Sequence, residues 1–329
     1  MGIQYKPELD GLRALAVLAV VVFHARVPGF NGGWIGVDVF FVLSGYLITQ
    51  VLLANPDLPT FYWRRFKRLV PPFALMLAAY LWAAPKVEPN HPHWRDALAA
   101  FFHLSDYTLP LYQFPDYLRH TWSLAIEEQF YLLWPLILLR KKPGFTVLIA
   151  AWAALTVWKF QWGWSAAYTR FDTHCTGLVL GCALAMLPRF NLPTWPFLLG
   201  LLGCVLVFKF NDASSHETGV IVVELFTACI LLGNAPKWLS ARSLVYLGKL
   251  SYGIYLWHFA LAYWMHKQGM RWDFVLAAST LFGVGMAALS YHTLEALFRS
   301  NRPALDAAAR HGEGDHVAGF QPQLERERS

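Results

Sequence analysis

Ten apolar stretches, near 11–27, 34–54, 69–84, 120–139, 144–160, 172–187, 194–210, 219–234, 250–266 and 273–298, mark out the chain. A run of about 20 mostly apolar residues is what a helix needs to cross the hydrocarbon core of a bilayer. Inside that core every backbone N–H and C=O has to be satisfied within the protein, so runs of this kind are expected to be α-helical. The expected fold class is an all-α integral membrane protein, a bundle of about ten transmembrane helices. Composition agrees, with 56% hydrophobic and only 15% charged residues, where a soluble domain carries roughly 25% charged. The stretch 94–111, which contains WRDALAAFFHL, admits two readings, an interfacial helix or a further span, and the second would invert everything after it.

Lysine and arginine set the expected orientation. With ten spans and the N-terminus inside, the inner segments hold fifteen of them before the tail and the outer segments nine. That bias places both termini in the cytoplasm. It also accounts for the formal charge of +6, which on a soluble chain would suggest nucleic acid. Glu8 and Asp10 precede the first apolar run and no small-residue cleavage site follows it, so the run reads as a span rather than a cleaved signal. Residues 1–300 form the expected membrane domain, and 301–329 a short polar cytoplasmic tail without order. Cys175, Cys182, Cys204 and Cys229 lie in apolar stretches without ligand spacing. They are expected to pack as small apolar groups, with neither a metal nor a disulfide.

Charges within spans are costly and default to functional hypotheses. Arg13 and His24 are eleven residues apart, about three helical turns plus 20°, so they share one face and stand roughly 16 Å apart along it. Asp38 lies in an apolar run with Ser44 and Gly45 beyond it, and Arg13, Arg26 or a ligand are its candidate partners. Arg64, Arg65 and Arg68 fall within five residues. Guanidinium groups suit bidentate phosphate binding, while a plain membrane anchor is the competing reading. In HTWSLAIEEQFYLLWP two adjacent carboxylates, Glu127 and Glu128, interrupt a span of Leu, Trp, Phe and Tyr. They point about 100° apart, so one can face the bundle centre and the other a cation. Either is a candidate acid or base, with a structural ion pair as the alternative. Asp172 and His174 begin the sixth span; Ser251, Tyr252, Tyr255 and His258 lie in the ninth. These, like Glu224 and Glu295, read individually as helix-to-helix hydrogen bonds.

Taken together, YKPELDGLRALAVLAVVVFH, GGWIGVDVFFVLSGYLIT, FYWRRFKRLVPP, HTWSLAIEEQFYLLWP, FDTHCTGLVLG, LGKLSYGIYLWH and YHTLE resemble, in that order, the acyltransferase-3 family of bacterial membrane O-acyltransferases. The resemblance covers about 5–300. It implies ten spans in the bacterial inner membrane and acetyl-coenzyme A, or another acyl-coenzyme A, as co-substrate. It also implies a sugar hydroxyl of a surface or secreted polysaccharide, free or lipid-linked, as acceptor. The family's Arg-x10-His pattern falls on Arg13 and His24, its arginine-rich loop on Arg64, Arg65 and Arg68, and its Trp-Ser-Leu-x-x-Glu element on Trp122, Ser123 and Glu127. Many relatives carry a hydrolase-like domain after the last helix, for which these 329 residues leave no room.

The expected mechanism follows from that assignment. Arg13, Arg64, Arg65 and Arg68 would bind the anionic coenzyme. His24 would act as general base or transient acyl carrier, with Glu127 orienting it and Glu128 as the next carboxylate. Asp38, Ser44, Trp122, Ser123, Asp172, Tyr255 and His258 would support substrate or structure. A transporter or flippase using the same buried charges, and a purely structural subunit, are the rival readings; the first predicts flux without acyl transfer and the second predicts neither. The orientation is testable: reporters active on one side of the membrane, fused to the C-terminus, should report the cytoplasm, and a periplasmic signal would defeat the ten-span arrangement.

Overall fold

The computed structural model describes residues 5–188, 192–210 and 216–299, without the side chains at 210, 216, 217, 295, 298 and 299. The expected tail, with Arg189, Arg302 and the side chains of Glu295 and Arg299, lies outside the described residues. Within them the regular structure is helical throughout. The order is α1 Pro7–His24, α2 Ile35–Ala54, α3 Leu58–Val87, α4 His93–Phe101, α5 Ser105–Tyr112, α6 Thr121–Lys141, α7 Phe145–Lys159 and α8 Trp164–Thr169. There follow α9 Phe171–His174, α10 Thr176–Ala185, α11 Trp195–Phe210, α12 His216–Leu232, a 3-10 turn at Lys237–Ser240, α13 Arg242–Lys267, α14 Trp272–His292 and α15 Leu294–Arg299.

Each of the ten apolar stretches falls on a helix or on two consecutive ones. Among the described residues α2, α3 and α14 are long and apolar enough to cross a membrane, and α7, α10, α11 and α12 are shorter apolar helices. The stretch 94–111 is not one span. It is broken into α4, nine residues, and α5, eight residues, about 13 and 12 Å long against the roughly 30 Å of a hydrocarbon core.

Local chemistry explains the helix ends. Pro7 opens α1 with its φ already set, and Glu8 and Asp10 favour the positive end of the helix dipole. The Asp57 side chain caps α3 by accepting from the Thr60 N–H at 3.3 Å. Pro71 and Pro72 then remove two N–H donors from α3 just past the Arg64–Arg68 turn, freeing backbone carbonyls there.

The bundle is assembled by close approach at glycine. α1 packs mainly against α13 and α2, and α2 mainly against α10. A Cβ on Gly45 of α2 would collide with the Leu178 carbonyl of α10, and one on Gly181 of α10 with the Val42 carbonyl of α2. Small residues are what allow helix backbones to touch in this way. We use distal for the end of the bundle where α1 finishes and proximal for the end where it begins. A polar clamp closes the distal end. Asp96 Oδ2 accepts from the backbone N–H groups of Asp116 and Tyr117, both at 3.0 Å, from His91 Nε2 at 3.1 Å and from the Tyr80 hydroxyl at 3.4 Å. Burial raises the Asp96 carboxyl above its ordinary range, and the bonds from His91 and the Asp116 N–H oppose that rise. The clamp fixes the loop that leads into α6.

Since the obstacles at Gly45 and Gly181 are backbone rather than side chain, Gly45→Val and Gly181→Val should each cost about 1–3 kcal/mol and lower the unfolding midpoint in detergent. Gly285→Ala, where a Cβ meets open space, should not lower it.

Candidate functional site

Two cavities lie end to end inside the bundle. The distal one, about 660 Å³, is lined by His24, His120, Trp122, Tyr168, Phe259 and His266 among others. The proximal one, about 90 Å³, is lined by Arg13, Ser44, Arg65, Arg68, Glu127 and Tyr131 among others. Val37 and Tyr255 belong to both walls, so the chambers abut at these two side chains. The Tyr255 hydroxyl donates to the His120 carbonyl at 2.8 Å and pairs with the Ser123 hydroxyl at 2.6 Å. This pins the start of α6 to α13 at the narrows.

His24 is held from α13. Its Nδ1 lies 2.8 Å from His258 Nε2, and its carbonyl accepts from His266 Nε2 at 3.0 Å. The proton positions follow from the partners. His258 Nδ1 lies 3.0 Å from the Ile254 carbonyl, which can only accept, so this nitrogen carries the proton. In a neutral His258, Nε2 is then the acceptor, and the proton between the rings belongs to His24 Nδ1. His24 Nε2 is left with a free lone pair in a ring that lines the distal chamber. The chain Ile254 C=O, His258, His24 is therefore a fixed relay that selects one tautomer of His24.

The proximal chamber gathers cations around one carboxylate. Arg65 lies over the rings of Phe61, at 5.7 Å, and Tyr131, at 5.1 Å, and Arg13 over Phe40 at 5.8 Å. The Ser44 hydroxyl donates to Glu127 Oε1 at 2.6 Å. Arg13 has a marginal 4.0 Å contact with Asp10. The chamber's surplus is positive.

The structure corrects several pairings expected from sequence. Glu127 does not orient His24: it lines the proximal chamber with Arg13 and Arg65, while the histidine's partner is His258. The reason is topological. α1 has α13 and α2 as its main neighbours, and α6 packs on α5, α2 and α9. Glu128 lines neither chamber, and neither does Arg64, which is exposed. Asp38 is not paired with Arg13 or Arg26; its Oδ1 lies 2.9 Å from His174 Nε2, close but poorly aligned for a hydrogen bond. Asp172 is held by Arg170 at 2.7 and 2.9 Å, outside both chambers. Glu224 accepts from Trp152 Nε1 and the Thr176 hydroxyl, a helix-to-helix bond as the sequence suggests. Trp122 walls the distal chamber and Ser123 the proximal one. His120 received no role from sequence, although a histidine opening HTWSLAIEE was visible; Tyr168, Phe259 and His266 carry no signal beyond general aromaticity.

Comparisons with known proteins cover most of the chain. A family model described as an acyltransferase domain matches residues 6–293. The chain is 33% identical to "O-acetyltransferase OatA" of Staphylococcus aureus strain NCTC 8325 / PS 47, over 90% of this chain and 57% of that protein. It is 33% identical to "Putative peptidoglycan O-acetyltransferase YrhL" of Bacillus subtilis strain 168, over 90% and 55%. The chain thus spans little more than half the length of the curated relatives it matches. No solved structure matches it significantly.

The tautomer assignment has a direct spectroscopic consequence. 15N spectra of histidine-labelled protein in nanodiscs should show a ring, absent from His24→Phe, with Nδ1 protonated and Nε2 bare. His258→Ala should convert it to a mixture of tautomers. A wild-type ring protonated at Nε2 would reverse the relay.

Proposed function

The chain belongs to the acyltransferase-3 family, and from that premise we propose that it is a membrane O-acyltransferase that moves an acyl group, acetyl in the simplest case, from acyl-coenzyme A to a sugar hydroxyl of a surface or secreted glycan. The observation that carries this reading is the pair of abutting chambers, one rich in arginine and the other holding a histidine with a bare nitrogen, joined at Val37 and Tyr255. Ten spans with both termini cytoplasmic, as the Lys/Arg bias favours, would put the arginine end at the inner face of the bacterial plasma membrane.

Coenzyme A is a slender thiol-bearing arm on a bulky polyanion, and the cavities suit that division. At about 90 Å³ the proximal chamber admits a narrow chain but not a nucleotide. The nucleotide would stay at its mouth, where Arg68 is exposed and Arg64 stands on the same helical turn. Arg13 and Arg65 line the passage, and Glu127 keeps their charge partly balanced when no phosphate is present. The arm would pass the narrows and present its thioester in the distal chamber, where the acceptor hydroxyl approaches His24. Bare Nε2 takes the hydroxyl proton as the oxygen attacks the carbonyl carbon, and returns a proton to the departing thiolate. The hydrogen bond to His258 keeps Nε2 aimed and supports the imidazolium that forms between the two steps.

Radiolabelled acetyl-coenzyme A and glycan fragments supplied to the purified protein in nanodiscs should yield acetyl ester on sugar. Flux of coenzyme or glycan without ester would favour a transporter instead. Arg65→Ala and Arg68→Ala should each weaken coenzyme A binding roughly 10–100-fold, the worth of a charge-assisted hydrogen bond, and Arg→Lys should restore only part because an ammonium lacks the planar fork. Unchanged affinity would return these residues to membrane anchoring.

A further inference from the structure

Building on that acyl-transfer reading, the geometry points to a second reacting side chain. His120, the residue before α6, is 1% exposed, and neither of its ring nitrogens has a hydrogen-bond partner among the described residues. A backbone group of Leu256 approaches the ring outside hydrogen-bonding geometry. Buried polar atoms in proteins are nearly always satisfied, and an exception calls for an explanation such as catalysis or a missing ligand. Two features favour a ligand here. The ring lines the distal chamber, and it is rigidly placed. It stacks on Phe259 at 4.8 Å, its centroid is 6.0 Å from that of His258, its own carbonyl is tied to Tyr255, and the preceding loop is clamped by Asp96.

Its position relative to His24 is what gives it a function. His24 packs edge-on against the same Phe259 at 4.7 Å and stacks with the same His258 at 5.0 Å. Two imidazoles thus line one chamber and pack on the same Phe259 beside the same His258. One of them, His24, has its Nδ1 committed to His258. The other has its N–H uncommitted.

Attack on a thioester pushes the carbonyl π electrons onto oxygen, and that oxyanion needs a donor already in place. Three hydroxyls of the chamber are already engaged: Tyr255 donates to the His120 carbonyl, Thr169 to the Ser165 carbonyl at 2.7 Å, and Tyr168 points at the Trp34 carbonyl at 3.5 Å. We propose that His120 is the oxyanion-stabilising residue of the transfer, a neutral imidazole that donates its N–H to the thioester carbonyl oxygen. A neutral imidazole is able to polarise a carbonyl in this way without surrendering its proton. The balance is complete with the residues named. The hydroxyl proton goes to His24 Nε2, the new C–O bond forms, and negative charge collects on the carbonyl oxygen against the His120 N–H. Collapse re-forms C=O, breaks C–S, and the thiolate takes the proton back from His24. His120 ends as it began.

The experiment compares His120→Gln, which keeps a neutral N–H donor of similar reach, with His120→Leu, which fills the space without one. Both are made in the full chain in nanodiscs, with His24→Ala alongside. For His120→Leu we expect kcat to fall about 10²–10³-fold, the usual effect of losing one oxyanion donor, with KM for acetyl-coenzyme A and coenzyme A affinity within about threefold of wild type. His120→Gln should recover at least tenfold of that loss. A rise confined to acceptor KM would make His120 an acceptor-binding residue and overturn the proposal, as would equal loss in both variants despite unchanged coenzyme binding, or full activity in His120→Leu. If wild type itself makes no ester, it is the acyltransferase reading that falls; wild-type transfer with any of the other outcomes defeats this inference alone. Should His120→Leu not be recovered folded, His120→Phe supplies the donor-free comparison.

Discussion

Gly248 brings α13 so close to α1 that a single Cβ there would strike the Asp10 carbonyl, and the register of these two parallel helices is the contact on which the site depends. Fixed at the proximal end by that approach, they meet again at the distal end, where His258 reaches Nδ1 of His24 and His266 reaches its carbonyl. A shift of one residue along either helix, about 1.5 Å and 100° of rotation, would break both bonds and with them the selection of a tautomer. Rigid backbone contact at one end therefore sets proton positions at the other.

The second organising device is the division of polar groups along the bundle. Arg13, Arg65 and Arg68 surround one carboxylate in the narrow proximal chamber, while the wide distal one is lined mostly by imidazoles and aromatic rings, with Arg26 and Arg119 also in its wall. An anionic ligand would be favoured where Arg13, Arg65 and Arg68 gather, and proton transfer at His24 would proceed among aromatic rings, where each interaction is strengthened by the low dielectric. Tyr255 ties the two halves together, because the side chain that lines both chambers also holds the first residues of α6 in place. The shared wall of the chambers and the position of His120 are thus coupled through one side chain.

A third polar group sits apart from both chambers. Lys159 is 1% exposed, its Nζ donates no hydrogen bond to any of the described residues, and its charge acts on Asp38 and Glu224. With His174 and the bonds of Glu224 to Trp152 and Thr176, this cluster links α2, α7, α9, α10 and α12 by electrostatics rather than by close backbone contact. His174 packs on Trp122 and Tyr168, so the cluster buttresses the distal chamber from behind.

By itself the sequence determined the solvent of the fold and the chemistry available to it. Apolar runs of spanning length leave helices as the outcome, and the spacing of Arg13 and His24 on one helix places a cation and an imidazole at opposite ends of α1, because helical periodicity is local. It also displayed the arginine turn whole, since Arg65 and Arg68 are three residues apart. Partners across helices were decided by the tertiary structure. Glu127 stood out as the orienter of His24 because carboxylates are the conspicuous charges in a span, yet a helix position says nothing of which neighbour it faces. The contact came instead from α13, 234 residues away in sequence, and Glu127 turned to Ser44 and the arginines. Asp38 likewise met His174 rather than an arginine, and the break of 94–111 into two short helices became visible only once the Asp96 clamp and the loop before α6 were in place. Depth, register and neighbour identity depend on how helices pack, and packing is fixed by close approaches such as Gly45 on Leu178 and Gly248 on Asp10, for which no single segment carries the signal.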